Sequence, residues 1–217
     1  MGTNLKNKAY DIIKQRIIHC EYKPNTFLNE TSLIQEIDAS RTPIREALNK
    51  LEQEGFVQIL AKRGVMVTNV TMTEIHQTFE ARLLLEPYII THYIQSIDLN
   101  RLTQLYTENK ALIEAKPNPD GFCHLDDVLH RVISSACPNK YILETLEHIY
   151  NQNMRIRILS GRNIWERHVE AAREHLDLMT AIMNYDIEEA VKHTINHLIK
   201  SKEAAIQSFI NEQIPVN

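Results

Sequence analysis

Long apolar runs are missing from this chain: no stretch approaches the ~20 residues needed to cross a bilayer. The opening MGTNLKNKAY is polar and offers no apolar signal core, so the expectation is a cytoplasmic protein. Cysteine is scarce. Cys20, Cys123 and Cys137 are odd in number and form no CxxC pair, which implies neither a disulfide framework nor a zinc ribbon and favours a reducing compartment. No HExxH motif is present, and no carboxylate stands out as a general base, which argues against a metallohydrolase. An overall basic excess is also absent. The formal net charge is −4, and that alone argues against a general nucleic-acid binder.

The distribution of charge qualifies that last exclusion. Residues 1–71 hold ten Lys/Arg against eight Asp/Glu, a net of +2, and the remainder carries −6. Basic groups gathered on one face of the first part can still meet phosphate. With 217 residues and 43% hydrophobic content, the chain can build one large domain or two small ones.

The run SRTPIREAL, residues 40–48, is the most informative segment. Ser40 suits a helix N-cap, where its oxygen accepts an orphan backbone N–H. Pro43 is tolerated in the first turn. Ile44, Ala47, Leu48 and Leu51 then recur at helical spacing and form one apolar stripe. Gly55 ends the helix as a left-handed cap. Arg41, Thr42, Arg45 and Asn49 occupy the other side, and their side chains donate to phosphate oxygens and base edges. The same pattern also describes a helix that merely packs on a small core.

The flanking residues favour the first reading. Residues 5–18 and 30–37 carry two further apolar stripes, and Asp38-Ala39-Ser40 is a short turn into the third helix, as a helix-turn-helix requires. After Gly55, FVQIL and VMVTNV alternate with the period of strands. Gly64 supplies the turn between them, with Lys62 and Arg63 at the tip. A basic hairpin beside a recognition helix is the wing of a winged helix.

Residues 8–69 resemble the DNA-binding domain of the GntR family of bacterial transcription regulators. SRTPIREAL, LEQEGFV and the KRGVMV wing carry the resemblance. It implies DNA contacts by Arg41, Thr42, Arg45 and Gly64, with Ser40, Asn49, Lys62 and Arg63 beside them. The chain departs from the family at three places. Cys20 stands where glycine is usual, Pro24-Asn25 stands where Pro-Gly is usual, and Thr31 stands where many members carry a phosphate-binding arginine.

From residue 71 onward the pattern is helical only. Stretches near 71–95, 98–115, 120–136, 139–160, 163–184 and 186–212 read as helices. The breaker KPNPDG separates the second from the third. Capping spacing opens the first (Thr71, Glu74) and the last (Asp186, Glu189). The fold expected is therefore mainly α: a winged helix-turn-helix over 1–70, then an all-α antiparallel bundle over 71–217.

Asp126 and His130 lie four apart and project from one helix face, and the chain holds ten histidines in all. Imidazole suits zinc, nickel, copper or iron, and a carboxylate also admits manganese. Residue chemistry alone leaves the ligand set open, since His193 with His197, Asp127, His124 and His148 are rival candidates. FEARLLLEP, DDVLHRVI, REHLDLMTAI and DIEEAVKHTINHL are similar to the FCD ligand-binding domain of the FadR subfamily, in its shorter VanR-like branch. That resemblance implies Asp126, His130, His175 and His197 as ligands of a divalent metal, with zinc the first choice and nickel, manganese or iron as alternatives. It also implies a small organic acid as effector. Arg82 is a candidate clamp for its carboxylate, against the plainer reading of a helix-surface ion pair with Glu86. Arg155 and Arg157 are further candidates, because the spacing does not fix which one points inward. Tyr150 and Trp165 read equally well as core.

The function expected is a repressor, not an enzyme. It would be a homodimer on a near-palindromic double-stranded operator, released by a small carboxylate metabolite. A metal-dependent hydrolase and a regulator with a purely structural metal are the alternatives.

Overall fold

The computed structural model describes residues 2–115, 118–159 and 165–213. Two compact units result, Met1–Thr71 and Met72–Asn217.

The first unit holds α1 (Gly2–Ile18), β1 (Phe27–Leu28), α2 (Glu30–Ile37), α3 (Arg41–Gln53), β2 (Val57–Leu60) and β3 (Gly64–Val67). Helix α1 packs on α3. Their stripes form the small core: Ala9, Ile13 and Ile17 from α1, and Ile44, Ala47, Leu48 and Leu51 from α3, are all buried. Burying each of the isoleucines and leucines contributes about 1.5–3 kcal/mol. Asn29 caps α2, its side chain accepting from the backbone of Thr31 and Ser32. Gly55 has φ +77° and ends α3 as expected.

Ser40 corrects one expectation. It holds the N-cap position in extended backbone, but its side chain makes no capping hydrogen bond. A cap bonds the second or third helical N–H. The third residue here is Pro43, which has none.

The wing is richer than a hairpin. The sheet order is β1-β3-β2, with both pairings antiparallel. The third strand, Phe27–Leu28, is two residues long. On the other side of β3 lies β2, paired from Val57↔Val67 to Leu60↔Gly64. The turn uses two left-handed residues, Lys62 at φ 66° and Gly64 at φ 102°. Cys20 (φ 55°) and Asn25 (φ 61°) are left-handed as well, which explains the usual glycine at those places.

The second unit contains six α-helices among the described residues: α4 (Met72–Tyr93), α5 (Leu99–Glu114), α6 (Pro119–Ser134), α7 (Lys140–Leu159), α8 (Trp165–Met183) and α9 (Ile187–Gln213), plus a short 3-10 turn at Ile94–Ser96. Helices α4 and α8 both pack on α9, α5 packs on α8, and α6 touches α5, α7, α8 and α4. Ile89, Leu102, Leu129, Leu146, Leu178 and Ile182 belong to the shared core. Asp98 caps α5. Asp186 Oδ1 accepts from the Glu189 N–H at 3.1 Å at the start of α9.

The breaker KPNPDG turns out to be partly helix. Asn118 caps α6 through the Gly121 N–H and Pro119 opens the first turn. A Cβ on Gly121 would sit 2.6 Å from the Asn118 amide, so glycine makes room for the cap. Lys116 and Pro117 lie outside the described residues. No described helix is long and apolar enough to cross a membrane.

Candidate metal centre and nucleic-acid interface

Helix α3 sorts its residues by face. Ile44, Ala47, Leu48 and Leu51 are buried, whereas Ser40, Arg41, Arg45 and Asn49 are exposed and so is Thr42. Lys62, Arg63 and Gly64 are exposed on the wing. Every residue singled out for DNA contact is thus accessible. Glu30 adds a feature that no sequence pattern signals. Its Oε2 lies 3.1 Å from Nε of Arg45 and 4.0 Å from Nε of Arg41, so one carboxylate on α2 restrains both arginines of α3.

In the second unit, α6 presents Asp126 and His130, α8 presents His175 and α9 presents His197. One ligand atom from each lies within 4.8 Å of all the others, and all four residues are buried. His175 Nε2 stands 3.2 Å from His197 Nε2. Asp126 Oδ1 is 3.4 Å from His175 Nε2 and 3.7 Å from His197 Nε2. Asp126 Oδ2 is 3.8 Å from His130 Nε2. Ligands of a tetrahedral ion bonded at about 2.0–2.2 Å stand roughly 3.3–3.6 Å apart, so the donor set fits a divalent cation. His130 Nε2 is buried and has no hydrogen-bond partner. The rivals lie elsewhere: His124 and His148 are exposed, His193 faces Glu189, and Asp127 pairs with Arg131.

Carboxylates back two of the imidazoles. Glu86 Oε2 is 2.7 Å from His130 Nδ1, and Glu174 Oε2 is 2.8 Å from His197 Nδ1. Such partners fix the tautomer and turn Nε2 toward the ion. Burial opposes ionisation of Glu86, but Arg82 and His130 prevail and hold its carboxyl at about 2. Burial likewise opposes ionisation of Glu174, yet hydrogen bonds from His197 and Arg167 bring it to about 2. Asp126 lies well below the usual carboxylate range, since Arg157 and the three histidines outweigh its burial. Burial, with His197 adding to it, pushes His175 well below the ordinary imidazole value. Burial also lowers His197, against the bond that its Nδ1–H donates to Glu174. His175 and His197 are therefore neutral at pH 7, as metal ligation requires.

Arg82 is not on the surface. It is fully buried and bonds Glu86 Oε1 through Nε at 2.6 Å. The plain reading of a helix-surface pair is therefore corrected: the pair is i,i+4, but the neighbouring helices cover it. Both terminal nitrogens of Arg82 are buried without a hydrogen-bond partner, near the rings of Phe79 and Tyr150.

A cavity of about 90 Å³ adjoins the quartet, with Asp126 and His175 in its wall. It has space for several water-sized groups. Its charged lining includes Arg157 and Arg167, and its buried amides are Asn109 and Asn153. Arg82 does not line it. Arg157 bonds Asp126 Oδ2 through Nη2, whereas Arg155, two positions back, bonds Gln152. Trp165 packs edge-on against Phe122 of the cavity wall. Tyr150 is buried, and its hydroxyl reaches the backbone oxygen of His130 at 3.3 Å.

Comparison with known proteins decides the family. The family model described as bacterial regulatory proteins, gntR family, matches residues 5–67, and the FCD domain matches residues 77–200. The chain belongs to the GntR family of bacterial regulators, with an FCD domain. The HTH-type transcriptional repressor RspR of Escherichia coli (strain K12) is 26% identical to this GntR regulator over 206 residues, 94% of this chain and 90% of RspR. The structure of E. coli McbR/YncC shares its fold, with a TM-score of 0.82 at 16% identity over 94% of this chain and 98% of that one. The Zn2+-bound FCD domain of TM0439 aligns with 66% of the chain and 99% of its own length, at 23% identity and a TM-score of 0.57. The domains and relatives are those of DNA-binding transcription regulators and not of enzymes.

Proposed function

We propose that this GntR regulator is a cytoplasmic repressor whose grip on its operator depends on a divalent ion held by Asp126, His130, His175 and His197 and on a small organic acid in the adjoining cavity. The observation that carries this is the convergence of four donor atoms within 4.8 Å in a buried bundle. Zinc is the favoured ion, given the imidazole-rich set and the zinc in the FCD domain of TM0439. The repressor sign follows the name of RspR.

Each residue then has a role. Arg41, Thr42, Arg45 and Asn49 reach into the major groove, and Ser40, Gly64, Lys62 and Arg63 meet the backbone at either side. Two copies of the chain read a near-palindromic operator. Glu86 and Glu174 hold His130 and His197 in place, and Arg82 neutralises Glu86. When bound, the ion would supply a Lewis-acidic attraction for the acid's carboxylate. Arg157 and Arg167 line the cavity and offer planar forks for the same group, so they replace Arg82 as the first choice of clamp. Two of the four ligands lie in the cavity wall, which favours a sensing ion over a purely structural one. The acid acts on DNA binding by favouring one arrangement of the two reading modules over another.

Selection of bound sequences from random duplexes, with and without chelator, tests the proposal. A symmetric site recovered only from metal-loaded protein is the expected result. Metal analysis of wild type against His175→Ala tests the ion site, and equal metal content in both would remove His175 from it.

A further inference from the structure

Arg157 and Arg167 of the cavity wall are each tied to the metal quartet through one carboxylate. Arg157 bonds Oδ2 of Asp126 through Nη2 and the backbone oxygen of Cys123 through Nη1 at 3.1 Å. Arg167 clasps Glu174 with two parallel bonds of 3.0 Å, Nη1 to Oε1 and Nη2 to Oε2. That same Oε2 takes the bond from His197 Nδ1 at 2.8 Å. So one guanidinium sits directly on a ligand and the other sits one carboxylate behind a ligand. A guanidinium on a carboxylate competes with a metal ion for its charge, and it repels the ion as well.

We infer that Arg157 and Arg167 together form a restraint on metal affinity, and that an anion entering the cavity releases it. This rests on the metal site proposed above. A carboxylate that bonds the two guanidinium groups draws them from Asp126 and Glu174. Asp126 then gives more of its charge to the ion, and Glu174 gives more of its charge to the Nδ1–H of His197. Metal and acid bind cooperatively as a result, and the coupling is reciprocal: each tightens the other by the same factor. The charges around Glu174 allow the change. Lys200 Nζ stays on Glu174 Oε1 at 3.0 Å, so Glu174 keeps a cation when Arg167 leaves it. Arg167 also has Glu170 at 3.3 Å and Ser201 Oγ at 3.1 Å.

The test is zinc affinity of the full-length protein, measured by competition with a chromophoric chelator, with and without millimolar acetate as the probe anion. In wild type, acetate tightens zinc. Arg167→Gln without acetate binds zinc about tenfold more tightly than wild type, an effect of the size that outer-shell changes produce but opposite to their usual sign, and acetate adds little. Arg157→Lys, which keeps a cation beside the buried Asp126, moves in the same direction by less. A variant that only loosened the fold would weaken zinc instead. Unchanged or weaker zinc binding in Arg167→Gln overturns the inference. So does acetate tightening zinc equally in wild type and both variants, which would put the anion on the ion alone. A wild type that binds no zinc overturns the proposed site itself, and that outcome is distinct from the other two.

Discussion

Glu86 joins two tasks that a double-mutant cycle separates. It neutralises Arg82, which is fully buried, and it orients His130. Holding the carboxyl at about 2 rather than its ordinary 4.5 corresponds to roughly 3 kcal/mol. Removing one partner of a buried pair costs about 3–5 kcal/mol, because the other charge is left uncompensated. Glu86→Leu and Arg82→Met should each lose that much in urea unfolding of metal-free protein. At the roughly 2–4 °C per kcal/mol of a domain this size, the melting point falls by about 6–20 °C. The double variant should recover most of the loss, since an apolar replacement of a buried pair is often neutral. Trp165, the sole tryptophan, lies in α8 and reports the unfolding of this unit. Zinc affinity should behave differently. It falls about 10–100-fold wherever Glu86 is missing, in the stable double variant too. Additive losses in the cycle would refute the pairing. Full zinc affinity in the double variant would refute the orienting role of Glu86.

Arg45→Ala should cost about 1–3 kcal/mol on the selected operator and relax base preference, whereas Lys62→Ala should weaken all duplexes alike and lower the salt slope by about 1; gel-shift titrations at several salt concentrations check both. Glu30→Gln frees Arg41 and Arg45 from their shared carboxylate, so binding to random duplex should rise and the specific-to-random ratio should fall. An unchanged ratio would remove Glu30 from the interface. The first unit also carries an acid-sensitive contact. Burial opposes ionisation of Glu54, but Lys14 and Tyr10 prevail and lower its pKa. A depressed carboxyl stabilises the fold above its unfolded value and stops doing so as pH falls through its folded value. The stability gap between wild type and Glu54→Gln should therefore be full above about pH 5 and close below it, in acid titration followed by circular dichroism.

The apolar stripes make the helices legible from residue order alone. Ile44, Ala47, Leu48 and Leu51 recur at helical spacing and are buried as that spacing requires. Strand β1 is not legible, because two residues carry no period. The left-handed Lys62 is hidden for a related reason: turn position, not residue type, sets its φ. The candidate site divides the same way. Ten histidines offer many chance pairs, so spacing alone leaves the ligand set open and only the family resemblance singles out His175 and His197. Arg155 and Arg157 look alike in sequence, yet two residues along a helix is about 200° of rotation, and only Arg157 meets Asp126. Glu174 gives no signal at all. It precedes His175 in the chain but serves His197 across the bundle, and long-range partners of that kind have no local pattern.

Counting donors and acceptors explains why such a cluster persists inside an apolar bundle. Glu86 and Glu174 take the Nδ1 protons of His130 and His197, which leaves both Nε2 atoms as acceptors. Asp126 is an acceptor too, and His175 Nε2 faces His197 Nε2 at 3.2 Å. A water brings two protons to this group of lone pairs, which is too few. Leaving a buried acceptor unsatisfied costs about 1–3 kcal/mol, and His130 Nε2 is in that condition. Leucines of similar volume would pack the same space without that cost. A cation accepts from all four donors at once, and the guanidinium groups of buried Arg82 and half-buried Arg157 sit on the outer oxygens of Glu86 and Asp126 rather than among the four. The arrangement is costly as a hydrophobic core and well matched as a cation site, which is the physical ground for the metal site proposed in the second unit.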